Sequence, residues 1–425
     1  MTDFTATPDA PWWHYCAAIR RYMPYADGVS AGDIIRQLDD VKASGYQAIQ
    51  ITAPYHSAGY YPWWGLRPAD YFTINRTLGS RMAEFERLVE ACHQKELRIL
   101  IFLNPGYADV ESPLWQEACR QKRLGLAGEE QSYFLWRGPS DPPQPVGDGS
   151  HFIQDHSRWE TSPAAQASYW CHWKDGELAE PQYDWSQPSF RAFIRRVLTH
   201  WLETGVDGII LDAVNWYLNC NWQILRDCVV SLIHSYPGTL CIPEGATGFH
   251  DDFLPWLQDG QFDVIEDQTF HSDWNGSAIL DAINTQDTSL LEARLAVRDA
   301  ACRLGKPAWS YLCWGDDWTP PKRLLEVAVL LGTGHMTEII DAEHLDALSP
   351  GDRQQLHAIL RCAHHPGLAP IGSRRQIPSG DKRCYACIRS EETAPVLCVY
   401  NFSPAVVQIC IPLDVPRQPL CYWLR

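Results

Sequence analysis

The chain has 425 residues, of which 45% are hydrophobic and 12% are aromatic. This content is enough for a large buried core and excludes a disordered tail or linker. The formal net charge is -17 and no long run of lysine and arginine occurs, so we expect no nucleic-acid partner. The first six residues lack the basic and apolar stretches of a leader, and no run of about 18 apolar residues follows. We therefore expect a cytoplasmic protein without membrane contact, whose oligomeric state the sequence leaves open.

Short apolar runs alternate with longer amphipathic patterns along most of the chain, which indicates parallel strands joined by crossover helices. The predicted strands are 12–18, 48–52, 98–103, 208–212, 240–243, 262–266, 308–313 and 335–339. The helices predicted between them include 31–44, 81–95, 189–204 and 321–331. Eight strands in this order predict an α/β fold, a (β/α)8 TIM barrel.

Two segments depart from this alternation. Residues 107–183 are polar, rich in proline, glycine and tryptophan, and too long for an ordinary loop, which predicts an inserted subdomain over the barrel mouth after strand three. Alternating patterns at 384–389, 396–402 and 406–411 predict a C-terminal antiparallel β domain. We therefore expect the barrel at 1–106 and 184–368, the inserted subdomain at 107–183 and a β-sandwich domain at 369–425.

Three acidic residues, Asp212, Glu244 and Asp317, lie where predicted barrel strands end. The C-terminal strand ends of such a barrel surround one cavity, so these side chains are expected to converge. Two carboxylates about 5 to 5.5 Å apart can act as nucleophile and acid/base on a glycosidic bond, and a third can raise the pKa of the acid. At each position alone, helix capping or pairing with a basic neighbour remains an open alternative.

Aromatic side chains are frequent in the same predicted loops. Tyr61 and Trp64 follow the second strand, and Trp314 and Trp318 flank the acidic pair Asp316 and Asp317. Sugar rings present apolar faces that stack on aromatic side chains, so this placement is typical of a saccharide site. Packing inside the protein is the alternative for each aromatic residue.

Four motifs carry a resemblance to a known family: GVSAGD at 28–33, ADYFTIN at 69–75, PQYDWSQP at 181–188 and VLCVYNFS at 396–403. With them, nearly the whole chain resembles glycoside hydrolase family 13, the α-amylase family, and within it the oligo-1,6-glucosidase-like branch. The resemblance implies Asp212 as nucleophile, Glu244 as general acid/base and Asp317 as transition-state stabiliser. It further implies a retaining reaction on a small saccharide or glycoside, through a covalent glycosyl-enzyme intermediate. We expect neither a cofactor nor a bound metal.

The chain departs from the family pattern at the residues that hold the sugar. Ile210 stands where the family has an arginine two residues before the nucleophile, and Leu66 stands where it has a stacking tyrosine. Asp316 replaces a histidine, and the third strand keeps at most Asn104 of the family motif. Charge-assisted hydrogen bonds of this kind are each worth about 1.5 to 3 kcal/mol. New contacts are expected from Arg67, Asp316 and the nearby aromatic residues Tyr61, Trp64, Trp314 and Trp318.

Three functions remain open from the sequence. The first is a retaining α-glycoside hydrolase or transglycosylase, and the second is a non-catalytic sugar-binding or regulatory protein on the same scaffold. The third is an altered chemistry, an isomerisation or a transfer on an amino- or carba-sugar. The adjacent acids Asp316 and Asp317 also allow an amine-bearing substrate, since carboxylates this close repel unless a cation enters.

Overall fold

The structure, a computed structural model, describes residues 10–57, 65–138, 158–175, 178–246, 253–267, 278–312, 318–340, 345, 347–390, 392 and 394–409. The strands, in chain order, are β1 (Ala18–Tyr22), β2 (Ala48–Thr52), β3 (Tyr55–Ser57), β4 (Pro68–Ile74), β5 (Arg98–Leu103), β6 (Arg158–Ser162), β7 (Ala167–Asp175), β8 (Leu178–Pro181), β9 (Gly208–Leu211), β10 (Leu240–Pro243), β11 (Ile265–Glu266), β12 (Ala308–Tyr311), β13 (His335–Ile340), β14 (Arg374–Gln376), β15 (Cys384–Arg389) and β16 (Val396–Asn401).

The α-helices are α1 (Pro24–Asp27), α2 (Ala31–Ser44), α3 (Met82–Gln94), α4 (Pro113–Leu124), α5 (Glu129–Ser132), α6 (Pro188–Leu202), α7 (Trp222–Leu225), α8 (Ser231–Ile233), α9 (Leu254–Gln258), α10 (Ala278–Thr285), α11 (Leu291–Arg294), α12 (Ala296–Arg303), α13 (Pro320–Thr333) and α14 (Pro350–Cys362). Short 3-10 turns lie at Trp12–His14, Val214–Trp216 and Pro366–Leu368, and a π-helical turn at Arg226–Val230 joins α7 to α8. No helix of the described ranges is long and apolar enough to cross a lipid bilayer.

Eight strands form one parallel sheet in the order β10-β9-β5-β2-β1-β13-β12-β11. The two strands at the ends of this order, β10 and β11, are in contact, so the sheet curls into a nearly closed barrel. Gly208 allows the neighbouring strands to pack closely, because a Cβ there would lie 2.8 Å from Leu240 and 3.3 Å from Leu100. The predicted TIM barrel is confirmed.

The prediction of the first barrel strand was wrong. The apolar run 12–18 contains a 3-10 turn at Trp12–His14, and the strand is Ala18–Tyr22 instead. Strand β1, Ala18–Tyr22, lies between β2 and β13 in the sheet, with Ile19 opposite Ala48 of β2 and Glu338 of β13. The two arginines within β1 hid it from a prediction based on apolar runs. The other seven predicted strands are confirmed, with ends shifted by at most three residues.

Helices on the outside of the barrel follow the predicted positions. α2 opens with a capping box, in which Ser30 Oγ accepts from Asp33 N–H (3.1 Å) and the Asp33 carboxylate accepts from Ser30 N–H (2.9 Å). It ends at Gly45, whose φ of 109° suits glycine. The predicted helices 31–44, 81–95, 189–204 and 321–331 correspond to α2, α3, α6 and α13 within two residues at either end.

Smaller sheets lie in the insertion and at the C-terminus. Residues 107–183 contain α4, α5 and the antiparallel sheet β6-β7-β8. The C-terminal strands form the antiparallel sheet β14-β15-β16, which packs on α13 and confirms the predicted β domain. The strand predicted at 406–411 was wrong, because its described part, 406–409, is not a strand. The sheet is completed instead by β14, Arg374–Gln376, which precedes the other two strands in the chain. The domain boundaries remain predictions.

Candidate active site

Asp212 and Glu244 directly follow the C-terminal ends of two neighbouring barrel strands, β9 and β10. Pro243 pairs with Leu211 in the parallel ladder, so the two acidic residues lie at the same level. The ladder continues through both, since Asp212 N–H donates to the Leu103 carbonyl and Glu244 N–H to the Leu211 carbonyl, each at 3.0 Å. The barrel therefore holds these two side chains side by side at its mouth.

The Glu244 carboxylate is fixed by the turn after β9 and by a tyrosine of β12. Ala213 has a left-handed backbone, with φ at 45°, and its N–H donates to Glu244 Oε2 at 2.6 Å. Tyr311 Oη donates to Glu244 Oε1 at 3.5 Å. The carboxyl groups of Asp212 and Glu244 lie within hydrogen-bonding reach of each other. A left-handed alanine costs about 1 to 3 kcal/mol, and here that conformation directs its N–H at the half-buried Glu244 carboxylate.

The electrostatic surroundings of the pair raise the pKa of Asp212. Burial raises the pKa of Asp212 well above its usual range, and the charge and hydrogen bond of Glu244 raise it further. The charge of Arg21 lowers this pKa, while that of Glu180 adds to the rise. Two carboxyl groups in contact resist double ionisation, so the pair holds one proton over a broad pH range. One ionised and one protonated carboxyl group can carry out nucleophilic attack and proton donation.

A buried arginine and glutamate lie beneath this pair, on the first and last barrel strands. Arg21 Nη1 is 3.0 Å from Glu338 Oε1, and its Nε donates to Thr52 Oγ1 at 2.7 Å. The guanidinium carbon lies 4.6 Å from the centroid of the Phe102 ring. Burial raises the pKa of Glu338 to about 7, and Arg21 opposes that rise.

Further polar groups complete the described part of the mouth. The N–H of Gly245 donates to the carboxylate of Glu266, at the end of β11. Tyr217 is buried, stacks on Trp185 at a centroid distance of 5.2 Å, and its hydroxyl has no hydrogen-bond partner in the described part of the chain. Burial and then the Asp212 charge raise the pKa of Tyr217, so its hydroxyl stays protonated and can donate to a bound oxygen.

Arg67, predicted to contact substrate, lies beside the site as the partner of two acids of the inserted segment. It forms an ion pair with Asp109, and its Nε is 3.8 Å from Glu180 Oε1. Burial raises the pKa of both carboxyl groups, against the charge of Arg67. Because the Glu180 charge also reaches Asp212, this cluster connects the insertion electrostatically to the candidate nucleophile.

The remaining predicted residues are mostly outside the described ranges. Trp318 is described, half-buried, and covered by the Arg323 guanidinium at 4.3 Å from its ring centroid. The residues Tyr61, Trp64, Trp314, Asp316 and Asp317 lie outside the described residues. Asn104 uses its side chain within the protein, donating to the Leu66 carbonyl at 2.6 Å and accepting from Gly106 N–H at 2.8 Å.

Sequence reasoning missed four residues that the structure places around the pair: Arg21, Glu266, Tyr311 and Glu338. Each belongs to a barrel strand other than β9 and β10. A usable signal exists for Arg21 and Glu338, because a charge inside an otherwise apolar barrel strand must be paired or functional. Among the described residues, no group of three or more His, Cys, Asp and Glu side chains is placed to hold a metal ion.

Comparisons with known proteins agree with this geometry. The family model of the alpha-amylase catalytic domain matches residues 22–245. Trehalose-6-phosphate hydrolase of Bacillus subtilis is 26% identical over 216 residues, which cover 49% of this chain and 36% of that protein. Oligo-1,6-glucosidase of Halalkalibacterium halodurans is 26% identical over 212 residues, 48% of this chain and 36% of that protein. The chain thus spans about a third of the length of these relatives.

A solved structure shows the same fold over nearly the whole chain. Trehalulose synthase MutB from Pseudomonas mesoacidophila covers 93% of this chain and 91% of its own, with a TM-score of 0.68 and 16% identity. The relative named oligo-1,6-glucosidase agrees with the predicted branch. Because the family model matches more than half of the chain, through both Asp212 and Glu244, this protein belongs to the alpha-amylase family.

Proposed function

We propose that this protein is a retaining α-glycoside hydrolase or transglycosylase that acts on a small saccharide or glycoside. The observation that carries the proposal is the Asp212–Glu244 pair, two carboxyl groups that directly follow adjacent barrel strands at the same level. A protein that only binds sugar has no chemical need for such a pair, and burying Asp212 beside a second carboxyl group costs stability.

In the proposed reaction, ionised Asp212 attacks the anomeric carbon while Glu244 gives its proton to the leaving oxygen. Glu244 then removes a proton from water or from an acceptor hydroxyl, which displaces Asp212 from the sugar. Asp317 is proposed to stabilise the positive charge that develops on the ring. Tyr61, Trp64, Trp314 and Trp318 are proposed to stack on the substrate, with polar contacts from Arg67 and Asp316.

The proposal of a short substrate rests on the inserted segment. Glu180, in β8 of that segment, is buried and its charge reaches Asp212, so the insertion adjoins the candidate nucleophile. An insertion next to the nucleophile suits a small glycoside better than a polymer. The relatives named trehalose-6-phosphate hydrolase and oligo-1,6-glucosidase, and the neighbour named trehalulose synthase, are consistent with small saccharides.

Charge argues against a phosphorylated substrate. The sequence segments that follow the fourth to eighth barrel strands, 212–221, 244–253, 267–277, 312–319 and 341–349, contain aspartate and glutamate but no lysine or arginine. Phosphate recognition in proteins relies on arginine, lysine or helix N-termini, and an acidic mouth repels a dianion. The proposed substrate is therefore an uncharged or amine-bearing glycoside.

The proposal is tested by turnover of a panel of α-glycosides and disaccharides, each offered without and with a 6-phosphate. We expect the wild type to release sugar from the uncharged compounds at least about tenfold faster than from their phosphates. Asp212→Asn should lose turnover by about 10⁴-fold or more, because the nucleophile is gone.

Asp207→Asn is the matched control, since this aspartate precedes the same strand at the opposite end of the barrel and pairs with Arg98 at 2.8 Å. It should lower stability and leave turnover per folded molecule unchanged. Sugar binding without turnover by wild type and Asp212→Asn alike would overturn the proposal in favour of a binding protein.

A further inference from the structure

We propose that Arg21, on the first barrel strand, is the positioning cation that favours the ionised form of Asp212 within the Asp212–Glu244 pair. This inference rests on the proposed function. β9 itself supplies no cation, because the residue two before Asp212, on the same face of the strand, is Ile210.

The strand register places the guanidinium on the face from which Asp212 projects. Arg21 lies over the ring of Phe102, 4.6 Å from its centroid. Phe102 pairs with Ile210 in the ladder between β5 and β9, so both side chains point to the same side of the sheet as Asp212. The charge of Arg21 therefore enters the layer of the barrel interior directly below the carboxylate pair, from the opposite side of β5.

Arg21 is held rigidly in that place. The residue is 3% exposed, its Nε donates to Thr52 Oγ1 at 2.7 Å, and its Nη1 pairs with Glu338 Oε1 at 3.0 Å. Thr52, Glu338 and the Phe102 ring together fix the plane of the guanidinium. Little further side-chain entropy is therefore lost when the guanidinium acts on the site. Such rigid placement is what an electrostatic role requires.

Charged and titratable groups from several elements act on Asp212. They are Glu244 after β10, Glu180 on β8, Arg21 on β1, and the buried tyrosines Tyr55, Tyr107 and Tyr217. Of these groups, Arg21 lowers the pKa of Asp212, against burial and the two glutamates. A cation on this side favours the ionised form of Asp212 and so offsets part of the rise in its pKa.

Glu338 has the opposite influence on the pKa of Asp212, because its carboxylate pairs with Arg21 and partly neutralises the charge of the guanidinium. Its carboxyl group is fully buried, burial raises its pKa to about 7, and Arg21 lowers that pKa in turn. Removing Glu338 should strengthen the effect of Arg21 on Asp212, whereas removing Arg21 should abolish it. The two substitutions therefore have opposite expected effects on Asp212, although both break the same ion pair.

The test is the pH dependence of kcat/KM for Arg21→Met, Arg21→Lys and Glu338→Gln, with the fraction of folded protein measured at each pH. Arg21→Met should lower kcat/KM at least about tenfold. It should also move the acidic limb, the pH range in which kcat/KM falls on acidification, up by about one pH unit, since Asp212 then ionises less readily. Arg21→Lys should return the limb towards wild type. Glu338→Gln should move it down.

Arg298→Met is the matched control, because Arg298 is equally buried but donates to the Pro370 carbonyl at 2.9 Å, beside the C-terminal sheet. It should lower stability and leave the acidic limb in place. An unchanged limb in Arg21→Met, or a shift of the same sign in Glu338→Gln, would overturn the inference.

A second readout does not depend on turnover. The ionisation of Asp212 can be followed by carboxyl NMR in protein labelled at aspartate, with Asp212→Asn assigning the signal. Arg21→Met should raise this pKa and Glu338→Gln should lower it even if no substrate is turned over. An inactive wild type with these shifts would contradict the proposed function alone, and equal pKa values in all variants would contradict the role of Arg21.

Discussion

At the scale of single residues, backbone conformation matters as much as side-chain identity for the carboxylate pair. Glu244 is followed by Gly245, whose φ of 82° is left-handed, and a Cβ at this position would overlap the side-chain amide of Asn215. The Gly245 N–H also donates to the Glu266 carboxylate. The glycine thus fixes how the chain leaves β10 and how Glu244 is presented.

We predict that Gly245→Ala lowers the free energy of unfolding by about 2 kcal/mol or more and lowers kcat, through strain and through the clash with Asn215. Gly238→Ala is the control, since Gly238 has a similar φ of 79° but open space around its Cβ position. It should cost about 1 kcal/mol from strain alone and leave kcat unchanged. Chemical denaturation and steady-state kinetics measure both, and equal losses in the two variants would contradict a specific role for Gly245.

The sequence predicted Asp212 and Glu244 because a carboxylate at the end of an apolar strand is visible in the order of residues. It did not predict Arg21 or Glu338 as their neighbours, because partners on the first and last strands meet only when the barrel closes. The sequence showed that Ile210 stands where the family has an arginine, but it did not show which strand supplies a cation instead. The roles of all these side chains, and of Asp317 outside the described residues, stay predictions.

At the scale of elements, apolar periodicity predicted seven of the eight barrel strands. It also predicted the four outer helices α2, α3, α6 and α13. It placed the first strand too early, because Arg20 and Arg21 interrupt the apolar pattern of Ala18–Tyr22. The third C-terminal strand was misplaced for a related reason. The short polar strand Arg374–Gln376 is held by its pairing with β15 and not by an apolar pattern of its own.

The contact between α13 and the C-terminal sheet leads to a prediction about elements. Gly332, in α13, lies so close to Tyr400 of β16 that a Cβ would overlap the tyrosine hydroxyl. Gly332→Ala should therefore separate the helix from the sheet and lower the free energy of unfolding by about 1 to 3 kcal/mol.

Gly351→Ala is the control in another helix, α14, where only Ser349 Oγ, at 3.7 Å, lies near the Cβ position. It should raise the free energy of unfolding by about 0.4 to 1 kcal/mol, since alanine restricts the unfolded chain. Thermal and denaturant unfolding compare the two, and a neutral Gly332→Ala would show that the sheet does not depend on this close packing.

At the scale of the whole molecule, the alternation of strands and helices was enough to predict the barrel and the C-terminal β domain. The boundaries 1–106, 107–183, 184–368 and 369–425 stay predictions, because composition marks a change of segment without showing where packing changes. The acidic composition of the segments after the fourth to eighth barrel strands is the basis of the proposed preference for uncharged or amine-bearing glycosides. Family membership fixes the scaffold, whereas the departures at Ile210 and Leu66 show that the site must be tested directly.

Mass spectrometry of the glycosyl-enzyme tests the assignment of Asp212 as nucleophile. Glu244→Gln is mixed with a panel of α-glycosyl fluorides, whose leaving group departs without protonation, and the reaction is quenched in acid. We expect a mass increase of one glycosyl residue, because the variant lacks the base that activates water. Peptide mapping should locate the added mass at Asp212, and the double variant with Asp212→Asn should lack it. Turnover by the wild type with an adduct on another residue would contradict the assignment of Asp212 as nucleophile.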